Sequence, residues 1–321
     1  MLSNWHKKSY LMNKLACFAL MLGLFAPFLA QAYNGVTIVI SAPTAANQEF
    51  VKNFKDELVR LSAVNLRVKV IDLQDSEKLV VAENSELVIA LGVKALGAAS
   101  KLKLTTPVMG VFTPLPAFNS LLLTSRRDLG NFTAIVLDQP YFRQMALIKT
   151  VLPDTKSIGI LLGPTSSQYN ELLKDEAEKN TFSVSEENIY QESDLIPKLQ
   201  KTLEATDALL AIPDPLVYSR ETAQPILLTS YRHLKPVFGY SQSYVRAGAL
   251  AAVYSKPSQL ARQAAEITVS SQQAPSLLPP PQTPKYFSII VNYQVGRSLN
   301  IPILDEDALY KRMLALEAIQ K

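Results

Sequence analysis

One feature constrains the fold of this chain more than any other: a rhythm of short apolar runs alternating with helical periodicity, which plays out once and then restarts. Val36-Thr37-Ile38-Val39-Ile40 is a continuous β-rich run. It is followed by the polar turn Ser41-Ala42-Pro43-Thr44 and then by Phe50, Val51, Phe54, Leu58 and Leu61 at helical spacing over Gln48–Leu61. Thr44 or Asn47 suits the cap of that helix. Further strands are predicted at 66–73, 87–91, 108–112 and 132–137, with a helix opening at Gly92-Val93-Lys94-Ala95. Runs that are apolar throughout, joined by helices, predict a parallel sheet covered on both faces.

The rhythm restarts after Asp138. A helix is predicted over 141–152, ended by Pro153. Strands follow at 157–162, 182–189, 208–212 and 236–240, separated by helices to about Asn180, over 195–205 and over 223–234. The fold class is therefore α/β, with two doubly wound parallel-sheet lobes, 33–138 and 139–249. The remainder, 250–321, is expected to be a crossing segment. Its helix, 257–269, is amphipathic through Leu260, Ala264 and Ile267 and returns to the first lobe, and the tail completes both lobes. Leu278-Pro279-Pro280-Pro281-Gln282-Thr283-Pro284 cannot form regular structure and reads as a stiff, extended connection.

The first 32 residues form a separate unit. Lys7, Lys8 and Lys14 precede the apolar run Leu15–Ala30, and Ala30-Gln31-Ala32 matches a small-x-small cleavage site. This is the pattern of a secretory signal peptide cut before Tyr33. The alternative is an uncleaved inner-membrane anchor, but the run is about 16 residues, short of the roughly 20 needed to span a bilayer. Cys17 stands at the start of the apolar region, where a lipid-acceptor cysteine would follow it. With the segment go three lysines and no acid, so 29 basic side chains face 28 acidic ones. The +4 charge of the full chain thus falls to about +1, and no nucleic-acid partner is implied. Cys17 and His6 leave as well. The mature chain then has no cysteine and one histidine, His233, which excludes thiol chemistry and zinc–thiolate sites.

Sequence motifs for catalysis are missing. There is no phosphate-binding G-x-x-x-x-G-K-[ST], no dinucleotide-binding G-x-G-x-x-G and no nucleophile elbow G-x-S-x-G. His233 lies beside Arg232 near the end of a helical pattern, and Asp175-Glu176 and Glu186-Glu187 sit in charged, solvated stretches. No enzyme activity, cofactor or metal is expected. What remains is a set of polar turns that follow strands. In open parallel sheets ligands bind beyond the carboxyl ends of the strands, so these turns are the candidate ligand-binding positions. In the first lobe they offer Ser41, Thr44 and Thr113. In the second they offer Thr165, Ser166, Asp214, Ser243 and Tyr244, with Asp214 suited to a ligand ammonium. The plainer role for each hydroxyl or carboxylate taken singly is an ordinary helix cap. Tyr169, Tyr240 and Tyr244 are either stacking surfaces for a ligand or core packing.

The best-defined pattern in the chain is Lys235–Ser255: an apolar run, a Ser- and Tyr-rich turn, the Ala247-Gly248-Ala249 step and a second apolar run. Pro236-Val237-Phe238-Gly239, Ser241-Gln242-Ser243-Tyr244-Val245 and Ala247-Gly248-Ala249-Leu250 resemble the ABC-transporter solute-binding proteins whose characterised members include tryptophan- and tyrosine-binding lipoproteins. Arg262-Gln263-Ala264-Ala265-Glu266, Leu152-Pro153-Asp154 with Ile158-Gly159-Ile160-Leu161, and Phe287–Asn292 with Leu299-Asn300-Ile301-Pro302 extend the likeness over most of the mature chain. Gly130-Asn131-Phe132-Thr133-Ala134 stands where the family commonly has Asn-Val-Thr-Gly. The resemblance implies a type-I periplasmic-binding-protein fold, with two lobes, a multi-strand hinge and the ligand in the cleft. It also implies a monomeric periplasmic protein that captures an amino acid or similar small molecule for an ABC permease. A ligand-sensing input protein for a membrane receptor or kinase, and a periplasmic hydrolase, are the other readings. Leu250–Tyr254 is expected to be the chain crossing back to the first lobe, with Gly248 giving it room to bend.

Overall fold

A computed structural model describes residues 35–61, 66–74, 79–273 and 277–320. The leader and its cleavage site lie outside the described residues. Among those described, no helix is long and apolar enough to cross a membrane.

The first lobe is built from β1 (Gly35–Ile40), α1 (Ala45–Leu61), β2 (Arg67–Asp72), β3 (Leu87–Leu91), α2 (Val93–Ala99), β4 (Val108–Thr113), α3 (Leu115–Ser125) and β5 (Phe132–Val136). Its strands are all parallel, in the order β2-β1-β3-β4-β5. The sequence explains the order. β1, β3 and β5 are buried at every residue, so each is covered on both faces, whereas β2 (Arg-Val-Lys-Val-Ile-Asp) carries the charge that suits an exposed edge. On α1, Phe50, Phe54 and Leu58 face the sheet, and the two phenylalanine rings stack at 5.9 Å one turn apart.

The second lobe contains α4 (Tyr141–Val151), β6 (Ser157–Leu162), α5 (Asn170–Lys179), β7 (Ser183–Asn188), α6 (Glu192–Ala205), β8 (Ala208–Leu210), α7 (Arg220–Arg232), β9 (Val237–Gly239), α8 (Gln242–Ala247) and β10 (Ala251–Tyr254). After α9 (Pro257–Gln273) the chain adds β11 (Ser288–Val291), α10 (Tyr293–Ser298) and α11 (Glu306–Gln320). The sheet order is β11-β10-β9-β8-β6-β7, with β11 alone antiparallel. The hydrophilic strand β7, Ser-Val-Ser-Glu-Glu-Asn, again takes an edge. The molecule is thus an α/β fold of two lobes, each a parallel-dominated sheet between helices.

Three segments connect the lobes. The first, 137–140, runs from β5 to α4. The second lies at Ser255-Lys256, one residue beyond β10. The expectation that Leu250–Tyr254 would itself be the crossing is corrected here: Ala251 and Ala252 pair with Phe238 and Gly239 inside the second sheet, and Ala251–Tyr254 pair with β11 on the other side. All four residues are spoken for by that sheet before the chain can leave it. α9 then lays Leu260, Ala261, Ala264 and Ala265 into the first-lobe core beside Phe50 and Phe54. Three alanines on one face let the helix approach closely.

The Pro-rich segment that follows is an edge rather than a free linker. Leu278 N–H donates to Gly130 O at 2.8 Å, Gln282 N–H to Ala134 O at 2.9 Å, and Val136 N–H to Gln282 O at 2.9 Å, a parallel bridge alongside β5. Pro279, Pro280 and Pro281 have no N–H to give, which an edge position tolerates. The third crossing, 283–287, then leads into β11.

Arg143, on the first turn of α4, ties the crossings together. Its guanidinium donates to Pro284 O (2.6 Å), Lys285 O (3.2 Å), Gln139 Oε1 (3.1 Å) and Glu317 Oε1 (2.9 Å), and lies 4.5 Å over the Phe287 ring. The Gln139 amide in turn donates to Ser255 Oγ (2.8 Å), whose hydroxyl donates to Tyr286 O (2.6 Å). One residue from each crossing therefore belongs to a single hydrogen-bonded chain. Arg143 is 3% exposed, so losing it strands carbonyls away from water. Arg143→Met is expected to cost about 3 kcal/mol in urea unfolding, and Arg143→Lys to recover only part of it, because an ammonium cannot reproduce the planar fork.

Candidate functional site

The carboxyl ends of both sets of strands face one cavity of about 260 Å³, just under the range of roughly 300–1,000 Å³ typical of ligand pockets. From the first lobe come Pro114 after β4 and Leu137-Asp138-Gln139 after β5. The first turn of α4 adds Tyr141 and Gln144. From the second lobe come Tyr169, the Ile212-Pro213 pair beyond β8, Tyr240-Ser241-Gln242 after β9, and Val253-Tyr254-Ser255 at the second crossing. The site therefore straddles the hinge.

Pro114 reaches the cavity because β4 bulges. The register with β5 slips between Val111 and Thr113, and Phe112 takes a left-handed φ of 58°. An aromatic residue in that conformation is strained, and its ring is held edge-on to Phe50 at 5.6 Å.

The polar groups are few and unequal. Asp138 Oδ2 accepts from Leu115 N–H at 2.6 Å, closing the N-terminus of α3. Burial raises the pKa of this carboxyl above the ordinary range. Burial, and then the charge of Asp138, push the Tyr141 phenol upward; the same causes raise Tyr169. Both phenols therefore stay neutral. The rings of Tyr141 and Tyr169 lie 6.3 Å apart, tilted by 58°. Two buried polar atoms on this wall have no hydrogen-bond partner: Gln144 Oε1, on a side chain 7% exposed, and the Tyr169 hydroxyl. Such atoms are costly unless something fills the cavity and bonds to them.

Across the cavity, Tyr240 is backed by Tyr244 (rings stacked at 5.3 Å), while Tyr218 meets both edge-on. The Tyr240 hydroxyl donates to Tyr218 O at 3.3 Å. Of the three tyrosines read from sequence as stacking surfaces or core, Tyr169 and Tyr240 line the cavity, and Tyr244, 5% exposed, supports Tyr240 from behind.

None of the eight positions singled out from sequence is on the wall of this cavity. Thr165, Ser166 and Asp214 come together, but as a closed unit. Asp214 Oδ2 accepts from Thr165 N–H (3.0 Å), Ser166 N–H (2.9 Å) and Ser166 Oγ (2.9 Å), and Oδ1 accepts from Leu216 N–H (2.9 Å) and Val217 N–H (3.4 Å). Gly163 admits this carboxylate: a Cβ there would lie 2.2 Å from Oδ1. Thr44 Oγ1 accepts from Asn47 N–H (3.2 Å) at the start of α1, Ser41 is half-buried, and Thr113 is buried against Val111 O. Ser243 is exposed, its hydroxyl 3.0 Å from that of Ser241. The lining residues are their neighbours in sequence: Pro114 follows Thr113, Pro213 precedes Asp214, and Tyr240–Gln242 precede Ser243. Asp138, Tyr141 and Gln144 were missed. Their signal was an acid, an amide and a ring crowded into the few residues after a strand end, in a stretch read as a domain boundary.

Among the described residues no group of His, Cys, Asp and Glu side chains is placed to hold a metal ion. His233 closes the C-terminus of α7.

A family model described as ABC transporter substrate binding protein matches residues 36–312. No curated protein sequence matches. Several solved structures do. An ABC domain from Streptococcus pneumoniae in complex with L-Trp is 18% identical, with 87% of this chain and 97% of that one covered and a TM-score of 0.56. The ligand-free, open form of a substrate-binding protein with adhesive properties from Clostridium difficile is also 18% identical, with 85% and 96% covered and a TM-score of 0.66. A conserved domain protein from Vibrio cholerae is 21% identical, with 87% and 98% covered and a TM-score of 0.56. At these identities the likeness is one of fold.

Two measurements separate the two aspartates. Asp214→Ala strands five donors within one lobe and is expected to lower unfolding stability by about 2–3 kcal/mol, read in urea. The stability contributed by Asp138 changes with pH. Its folded pKa is raised above its unfolded one, so ionisation opposes folding above the folded pKa, and that penalty fades as pH falls through it. Asn can still accept from Leu115 N–H, so ligand-free Asp138→Asn is expected to be the more stable protein at neutral pH. The gap, followed by thermal melts across pH, should close on acidification.

Proposed function

The chain belongs to the ABC transporter substrate binding protein family, and from that premise we propose that it captures a small solute, of amino-acid size, between its lobes and presents it to an ABC permease. The observation that carries the reading is the wall of the cavity: both lobes supply it at their strand ends, and it holds Gln144 Oε1 and the Tyr169 hydroxyl buried without partners. A solute that bonds to them relieves their desolvation and links the lobes at once.

The protein binds without chemistry. Asp138, the one titratable carboxyl on the wall, is committed through one oxygen to α3, and no nucleophile–base pair stands beside it. The solute enters an open form and the lobes close on it about the three crossings, in the manner of hinge closure around a ligand. Arg143 and Gln139 hold the crossings together as they bend, so closure is a rotation of two rigid sheets rather than a loosening of either. The basic leader and its small-x-small site support delivery to the periplasm, where a membrane permease is within reach.

A thermal-shift screen with amino acids, amines, purines and small carboxylates tests this. A true ligand at 100 times its Kd is expected to add about 2.7 kcal/mol of stability. Tyr240→Ala, which removes a ring from the wall, is expected to weaken binding of that ligand at least tenfold by calorimetry. Turnover of an ester or peptide by a protein that no solute stabilises would sink the proposal.

A further inference from the structure

The cavity has a one-sided chemistry. Its wall includes a single ionisable carboxyl, Asp138, and no lysine or arginine. The nearest buried guanidinium, Arg143, has both terminal nitrogens bonded to Pro284 O, Lys285 O, Gln139 and Glu317, and only its Nε is without a partner. The N-terminus of α3, which could have received an anion, is already closed by the Asp138 carboxyl. Four tyrosines, Tyr141, Tyr169, Tyr240 and Tyr254, surround what is left. Their faces attract cations and stack on aromatic bodies. The unpartnered Gln144 Oε1 is an acceptor on a side chain more than nine-tenths buried, so it calls for an N–H or O–H donor.

Resting on the solute-binding reading above, we infer that the ligand is a monocationic arylalkylamine: a primary or secondary ammonium on an aromatic body, without the α-carboxylate of an amino acid. The ammonium donates to Asp138 and Gln144 beside the rings of Tyr141 and Tyr169. The aromatic body extends toward Tyr240 and the Ile212-Pro213 wall. A zwitterion brings the same ammonium, but its carboxylate must be buried near Asp138 with no cation to meet it, and that penalty supplies the selectivity. Arg246, on α8, is exposed and off the wall, so it offers a carboxylate only a solvated partner.

The test is calorimetry on the mature wild-type protein with three matched pairs: phenethylamine and phenylalanine, tyramine and tyrosine, tryptamine and tryptophan, with 2-phenylethanol as the neutral isostere. At least one amine is expected to bind ten times or more tightly than its amino acid, and phenethylamine to bind ten times or more tightly than the alcohol. Asp138→Asn should lower amine affinity at least tenfold and change 2-phenylethanol affinity by less than threefold. If that variant does not fold, the wild-type comparison of amine with alcohol decides, and equal affinities overturn the inference. Amino acids binding as tightly as the amines overturn it too, while leaving the solute-binding role intact. If neither these compounds nor the broader solute screen gives any binding, both readings fall together.

Discussion

Gln139, Ser255 and the Pro284–Tyr286 carbonyls come from three separate passages of the chain between lobes, and Arg143 holds them in one hydrogen-bonded belt. The two sheets share no strand, so this belt sets how they face each other. A buried guanidinium suits the task. It offers five donors in one plane, enough for two backbone carbonyls, an amide and a carboxylate, and its flat face covers the Phe287 ring. The same residues border the cavity, since Gln139 and Ser255 lie on its wall. Hinge and site are thus physically continuous, and an occupant of the cavity touches the belt directly.

The two aspartates at the strand ends show how one residue type takes different roles by environment. Asp214 is saturated by five donors from its own lobe and fastens the β6 and β8 loops to each other. Asp138 has one backbone donor on one oxygen and stands among apolar and aromatic groups. It lies where the chain leaves the first lobe, so it carries charge into a cavity that otherwise has little. A carboxylate that is fully satisfied stabilises a fold; one left short of partners is available to a guest.

Much of the fold could be read from the sequence because the buried strands are apolar throughout and the helices between them are periodic. The restart after Asp138 separated the lobes. The boundaries that failed did so for reasons local sequence does not contain. Leu250–Tyr254 is apolar whether it crosses between lobes or pairs within a sheet, and only the partner strands β9 and β11 decide. The Ser- and Tyr-rich stretch 241–244 has the composition of a loop, yet Ser241 accepts from Tyr244 N–H and starts the six-residue α8. The eight positions chosen from sequence and the wall of the cavity do not share a residue. Hydroxyls and acids were chosen because they bind ligands in general, and the fold used most of them as caps and staples. Whether a polar side chain is already satisfied depends on residues about 50 positions away, as with Ser166 and Asp214.

The return of α9 and the Pro-rich edge to the first lobe has a consequence for the order in which this molecule can be made. The first 136 residues contain all five strands of the first sheet, but the face of Phe50 and Phe54 stays uncovered until α9 is supplied, and β5 remains an open edge until Leu278–Gln282 arrive. Helices α4 to α8 and strands β6 to β10 of the second lobe are synthesised in between. A ribosome therefore releases an unfinished first lobe, makes five strands of the second, and only then closes the first with residues more than 120 positions away. The first lobe is closed before the second receives β11, α10 and α11, whose Ile289, Leu309 and Met313 belong to the second core, so the molecule is not whole until the last residues are made, and the interval before then is when this chain has most need of a holding chaperone.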